Sequence, residues 1–405
     1  MSIQEGLHSS IFYRICSKLK IILIYDAYLK ILQFVNRKLF FLFNSQKKTN
    51  SYVFFDYYNH YTHPDIKKRY YGDRAPITWN TLNSSKIVHC IQSSSKRFLG
   101  KRVIVEPNDH VLVIGGSLGI YKPSESVRRS KEISDYISSS AISRVLIGNN
   151  DLINHARHYY LENALKKFII YPEFSCIPKV SEIFLKEKSK ELSLGRKIKF
   201  LSIASNFRKK AVDLLIEAFI ESKCLGELTL VCHDIPESLK AKVLKADNIN
   251  LIEDIPLSIK KKDYLYRNSD VYINTTYIDG GAVAVNALEY GLPIITYTYH
   301  RGKSYITNEN GILLSEPMKY YDPKGYGIIW NSINDYLEQV EIFKSNGGFA
   351  DVQKQLINSI KYYESHPNKI LTQGIRSLEL AKKNTLEQSN QMLRKIYLNV
   401  LNEKK

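Results

Sequence analysis

Phe200-Leu201-Ser202-Ile203-Ala204 runs into Ser205-Asn206-Phe207-Arg208-Lys209-Lys210 and on into Ala211-Val212-Asp213-Leu214-Leu215-Ile216-Glu217-Ala218-Phe219. The first five residues have the texture of a buried strand, and the last nine carry apolar side chains at helical spacing. A strand that delivers basic residues to a helix N-terminus sets cationic side chains beside free amides, an arrangement that grips a diphosphate. A solvated basic turn reads the same in isolation, so its neighbours decide.

Downstream, Val271 to Asn274 reads as a buried strand, followed by Thr275-Thr276-Tyr277-Ile278-Asp279-Gly280-Gly281 and a helix through Asn286-Ala287-Leu288-Glu289-Tyr290. Gly291-Leu292-Pro293 closes that helix before the strand Ile294-Ile295-Thr296. A Gly-Gly pair ahead of a helix lets backbone amides approach an anion; Asp279 can accept from sugar hydroxyls, and Asn286 or Glu289 can face a ribose. Asn310-Gly311-Ile312-Leu313-Leu314 then makes a turn into one more short strand.

Around these motifs strands and helices alternate twice, which predicts two parallel α/β domains. The first series has strands at Tyr52 to Phe55, Ile87 to Ile91, Arg102 to Val105, Val111 to Ile114, Val145 to Ile147 and Phe168 to Tyr171, with helices near 126–137 and 151–165. The second runs from Ile198 to Tyr297. The lysine- and glutamate-rich passage 181–196 reads as the connection. The expected organisation is therefore a helical N-terminal segment 1–50, a Rossmann-like acceptor domain 51–180, the linker 181–196, a Rossmann-like donor domain 197–377, and one long amphipathic helix over 378–405. Ligands of such sheets bind at the carboxyl ends of the strands.

Over residues 165–315 the sequence resembles the retaining, GT-B-fold glycosyltransferases of family 4, which build bacterial O-antigen, capsule and lipopolysaccharide. The GT-B resemblance implies an α/β protein whose two doubly wound domains face a central cleft. In that family a Lys-Gly pair precedes an apolar helix ending in Glu-Ala-Phe; here Lys210-Ala211 and Glu217-Ala218-Phe219 take those places. The resemblance assigns the diphosphate to Lys210, with Arg208 or Lys209 beside it. The family signature, two glutamates separated by seven residues and then Ala, Gly and Pro, maps onto Asp279 through Pro293. Asp279 replaces the first glutamate, Asn286 replaces the second, and Glu289 lies one helical turn later. The resemblance implies transfer of a sugar from a nucleotide-sugar to a glycan or polyprenol-diphosphate-linked acceptor, with retained anomeric configuration and no cofactor or metal. A sugar-nucleotide-binding scaffold and a GT-B nucleotide-sugar epimerase remain the alternatives.

In the first domain, Val103-Ile104-Val105-Glu106-Pro107-Asn108-Asp109-His110 brings two carboxylates and a histidine to a strand end, ahead of Gly115-Gly116. Glu106, Asp109 and His110 are the candidates for holding sugar and acceptor hydroxyls; a turn with Asx capping is the other reading of Pro-Asn-Asp. His233 follows another strand end, while His60, His63, His155 and His158 read as surface residues.

Composition narrows the class. The 405 residues are 44% hydrophobic and 24% charged, which fits neither a disordered chain nor a polytopic membrane protein. The five cysteines are dispersed and never form a CxxC pair, as expected of reduced cytosolic thiols rather than a disulfide framework or zinc site. Lys and Arg outnumber Asp and Glu by 58 to 40, and residues 1–105 hold 17 basic against 5 acidic side chains. In the Ile-, Leu- and Phe-rich segment 11–45, Lys20, Asp26, Lys30, Arg37 and Lys38 interrupt every run long enough to span a bilayer. The segment is expected either to lie on the anionic inner face of the cytoplasmic membrane or to pack as ordinary core. The 29 tyrosines accompany no recognised nucleic-acid module, so no nucleic-acid partner is expected.

Overall fold

The computed structural model describes residues 52–55, 60–62, 75–76, 87–91, 102–107, 114, 123–140, 142–148, 150–171, 176–204, 207–253, 257–276, 281–298, 305–318 and 332–403. They divide into two units, one from residues up to 171 together with 389–403, the other from residues 172–388 with 122–124. The N-terminal segment 1–50 lies outside the described residues.

The first unit contains β1 (Tyr52–Phe55), β2 (His60–Thr62), β3 (Ala75–Pro76), β4 (Ile87–Ile91), β5 (Arg102–Glu106), α1 (Pro123–Arg128), α2 (Ser130–Ser138), β6 (Ile142–Ile147), α3 (Asn150–Tyr159), α4 (Glu162–Leu165) and β7 (Phe168–Ile170). The sheet order is β3-β2-β1-β4-β5-β6-β7, parallel from β1 to β7 with β2 and β3 added antiparallel. Side chains alternate along each strand. Val88, Cys90, Val103 and Val105 therefore face one way and meet Ile133, Ile137, Leu152 and Ala156 from the helices.

The opposite face combines Ile87, Ile104 and Leu146 with His89, Arg102, Glu106 and Arg144. It is covered by the end of the chain, where Leu393, Ile396, Tyr397 and Val400 are buried. Arg102 donates to the carbonyls of Val400 and Glu403, and Arg144 pairs with the Glu403 carboxylate.

The second unit contains α5 (Glu182–Ser193), β8 (Lys199–Ala204), a 3₁₀ turn (Arg208–Lys210), α6 (Val212–Ser222), β9 (Glu227–Cys232), α7 (Glu237–Leu244), β10 (Ile249–Ile252), α8 (Ile259–Arg267), β11 (Val271–Asn274), α9 (Gly281–Glu289), β12 (Ile294–Tyr297), β13 (Gly311–Leu314), α10 (Ile333–Ser345), α11 (Ala350–Ser365) and α12 (Asn368–Lys383). Its strands are all parallel in the order β10-β9-β8-β11-β12-β13. Apolar side chains fill both faces; α6 alone buries Val212, Leu214, Leu215, Ile216, Ala218 and Phe219. Each large aliphatic among them contributes about 1.5–3 kcal/mol. Gly311 is required where β13 meets β12, because a Cβ there falls 2.1 Å from the Ile294 carbonyl oxygen.

Two expectations are revised. Within the passage 181–196, Glu182–Ser193 form α5 of the second unit, capped by Ser181, whose hydroxyl accepts from Phe184 N–H, and packed against α12 through a side that buries Leu185 and Leu192. The long helix expected over 378–405 is divided between α12 and α13 (Leu386–Asn402). Thr385 makes the break: its hydroxyl accepts from Gln388 N–H while the Gln388 side chain accepts from Thr385 N–H, a reciprocal box that starts a new helix.

Cys90, Cys176, Cys224 and Cys232 are buried and outside any disulfide. Burial pushes the Cys176, Cys224 and Cys232 thiols up to about 12, which leaves them protonated. Tyrosines serve as core: Tyr171, Tyr266, Tyr272, Tyr297, Tyr336 and Tyr363 are among the largest fully buried side chains. Among the described residues, no helix is long and apolar enough to cross a membrane.

Candidate functional site

In the order β10-β9-β8-β11-β12-β13 the chain direction across the sheet reverses between β8 and β11. Such a switch point leaves a crevice outside the carboxyl ends of the two strands, because the following connections depart to opposite sides. The basic turn follows β8 and the Thr-Thr stretch follows β11, so the two motifs meet there. The Thr275 hydroxyl donates to the Lys210 carbonyl at 2.9 Å, and the Thr276 hydroxyl donates to the Lys209 carbonyl at 3.3 Å. The turn is thereby tied to β11.

Arg208 is exposed, and Lys209 and Lys210 are half-buried. Ala211 adopts the left-handed conformation with φ 45° and no side chain caps α6. A residue with a Cβ costs about 1–2 kcal/mol there. The strain fits the glycine that the resemblance assigns to this place, and the uncapped helix leaves its first amides available to an anion. Thr275→Val should cost about 1–3 kcal/mol, since it leaves the Lys210 carbonyl without that donor, and should weaken nucleotide binding by loosening the turn. Thermal melting and nucleotide titration of the variant measure both effects; unchanged values in both remove the tie.

Of the second motif, Asp279 and Gly280 lie outside the described residues, and Gly281 is the first residue of α9. Asn286 is half-buried on α9. Glu289 ends α9, about 12 Å along the helix from Gly281 at 1.5 Å per residue. Its carboxylate accepts from Ile177 N–H at 2.7 Å and its carbonyl accepts from Lys179 N–H at 2.7 Å. Glu289 thus secures the chain entering the second unit, at the end of α9 away from the crevice.

In the first unit, Asp109 and His110 lie outside the described residues. Glu106 is the last residue of β5 and is buried, its carboxylate 3.1 Å from His89 Nε2. His89 Nδ1 is 2.8 Å from the Tyr397 hydroxyl. His233 follows β9 and contacts the Asp234 carboxylate, Asp234 having φ 59°. His158 is exposed as expected, but His155 is buried on the inner side of α3, a correction to its reading as a surface residue.

Sequence reasoning assigned no role to Thr275, Thr276 or His89. A threonine pair directly after a buried strand was the available signal for the first two; the last lies in an ordinary core pattern.

A central parallel sheet of this order, with a cationic turn and a glycine-led helix after the two strands at its switch point, is a doubly wound α/β unit. Residues 184–321 match the family described as Glycosyl transferases group 1. With that domain on this fold, the chain is a glycosyltransferase. No curated protein matches the sequence. Among solved structures, Anabaena HepE in complex with UDP and glucose is similar with a TM-score of 0.51 at 12% identity, each chain covered over 79% of its length. Sucrose-phosphate synthase from Thermosynechococcus elongatus gives a TM-score of 0.51 at 14% identity, over 78% of this chain and 74% of that one. These likenesses carry the fold, GT-B.

Proposed function

We propose that the protein transfers a sugar from a nucleoside-diphosphate sugar to a lipid-linked or growing bacterial surface glycan of the O-antigen, capsule or lipopolysaccharide kind, with retention and without a metal. The observation that carries the reading is the basic turn Arg208–Lys210 tied by Thr275 and Thr276 across the switch point. HepE, solved with UDP-glucose as well as with UDP and glucose, supports a uridine nucleotide as the first donor to try.

In this reaction the bond between the anomeric carbon and the phosphate oxygen breaks, and the acceptor oxygen bonds the anomeric carbon on the same face. The acceptor proton passes to the departing phosphate oxygen. The developing diphosphate charge is met by Arg208, Lys210 and the leading amides of α6 and α9. Asp279, with Gly280 and Gly281, takes the sugar side of the donor, and Asn286 takes the ribose. Asp109 and His110 hold sugar and acceptor hydroxyls, while Glu106, paired with His89, holds the strand end that precedes them. A panel of nucleotide-sugars tests the reading: release of nucleoside diphosphate supports it, an epimerised donor indicates an epimerase, and binding without turnover indicates a scaffold.

The basic, apolar segment 11–45 is assigned to the anionic inner face of the cytoplasmic membrane, each basic residue near that surface contributing about 1 kcal/mol. Truncation of residues 1–48 is expected to leave a folded protein that binds nucleotide-sugar and no longer sediments with anionic vesicles. Loss of folding assigns the segment to the core instead, and full-length protein that ignores such vesicles at low salt removes the membrane.

A further inference from the structure

The first turn of α6 contains an acid. Asp213 is the second residue of that helix, so it sits within about 3 Å of the helix start at 1.5 Å per residue. A carboxylate so placed normally serves as the helix's own anion, accepting from the leading amides at the positive end of the dipole. It would then compete with a diphosphate for the same amides. Here the carboxylate turns to Lys344 instead, whose ammonium donates to it from the last turn of α10. Leu215 N–H bonds the Ala211 carbonyl at 3.2 Å, and no described side chain accepts from the amides of Val212, Asp213 or Leu214. The Asp213 side chain is 14% exposed and that of Lys344 33%, so water and salt screen the pair incompletely. Burial works against the Lys344 ammonium, but the Asp213 carboxylate outweighs it and holds the pKa above the ordinary lysine value. Lys344 therefore stays charged. One turn further along α6, Glu217 has a separate partner, Lys242, at 3.0 Å.

We propose that Lys344 is a positioning residue for the diphosphate: it draws the Asp213 carboxylate off the leading amides of α6 and offsets its charge, so that those amides and the turn Arg208–Lys210 meet the leaving group without a competing anion. The inference rests on the reading of that turn as the diphosphate clamp. It adds to the clamp a cation that touches no ligand and lies 131 residues from the acid it holds, too far for any local spacing to reveal.

The test is titration of the full chain with nucleoside diphosphates, UDP first, and with the matching nucleoside, which carries no phosphate. Lys344→Met should weaken binding of the diphosphate about ten-fold and leave the nucleoside within about two-fold, because only the charged part of the ligand meets the freed carboxylate. Adding Asp213→Asn to Lys344→Met should return the diphosphate to within about two-fold of the unaltered protein, since an amide carries no charge to offset. A pair that merely fastens α10 to α6 stays broken in the double variant and is not rescued this way. Lys242→Met is the control: it frees Glu217 one turn farther from the leading amides and should change diphosphate binding by less than about two-fold. A folded Lys344→Met variant with unaltered diphosphate affinity, an equal loss for the nucleoside, or an unrescued double variant overturns the proposal. Should Lys344→Met fail to fold, Asp213→Asn alone decides: it must bind the diphosphate at least as tightly as the unaltered protein, and weaker binding overturns the proposal. Diphosphate binding that falls in Lys210→Ala but ignores Lys344→Met removes this inference alone, whereas an unaltered protein that binds no nucleoside diphosphate removes the clamp and the inference with it.

Discussion

Asp270→Ala is expected to destabilise the protein by about 3–5 kcal/mol, the usual consequence of leaving buried charges without their partner. The Asp270 carboxylate has no exposure and accepts two bonds from the Arg196 guanidinium, each 2.9 Å, and one from Lys199 N–H at 2.8 Å. Lys188 Nζ lies 3.4 Å away, and burial already lowers the pKa of that ammonium. Removing the carboxylate takes from the largely buried Lys188 the charge that offsets it and leaves the partly exposed Arg196 with Glu191 as its remaining carboxylate partner. Asp270 also precedes β11, so the strand that carries Thr275 and Thr276 loses its anchor at the opposite end. Urea unfolding of the full chain measures the loss. An unchanged midpoint would show that Lys188 and Arg196 find water or other acceptors at no cost.

Lys210→Ala should lower turnover by at least about ten-fold, equivalent to about 1.4 kcal/mol of transition-state stabilisation. Its backbone carbonyl is held by Thr275, so the substitution removes the ammonium while the turn keeps its shape. The loss should therefore fall mainly on kcat, where diphosphate charge develops, with a smaller effect on KM. Arg208→Ala should act in the same direction, less strongly because that side chain is exposed. A folded Lys210→Ala protein with unaltered kinetics would take the leaving group away from this turn.

Most of the second unit was legible because its strands are short apolar runs between strong helix signals. Val271–Asn274 was read to the residue, and β8 and β12 to within one at each end. α5 was hidden by polarity: its buried positions, Leu185 and Leu192, are too few to show a period against so many lysines and glutamates. The start of α13 was hidden by continuity, since the apolar spacing runs on past Thr385 and only the Thr385 and Gln388 capping pair marks the boundary. β2 and β3 were missed because three- and two-residue strands have no alternation to read.

At the site, the cationic turn and the Gly-Gly helix start were visible as local sequence. The contacts that give them shape join residues far apart in the chain: Thr275 with Lys210, 65 residues away, and Glu289 with Ile177, 112 residues away. No local pattern encodes such pairs. The spacing drew attention to Glu289 as a ribose candidate, but the carboxylate holds a backbone amide instead, a role that depends on where residues 176–179 pass.

The face of the first sheet that carries His89 and Arg102 also has a history in time. His89 and Tyr397 are separated by 308 residues, and Arg102 and Val400 by 298. At 5–20 residues per second, a ribosome needs about 15–60 seconds to make the intervening chain. Near the end of that interval the second unit has all of its own sequence, while the first still lacks the helix that covers His89 and Arg102. The unit begun first is thus the one completed last. A nascent chain halted before residue 389 presents an unfinished sheet surface, and how long that surface stays open depends on translation speed as well as on folding speed.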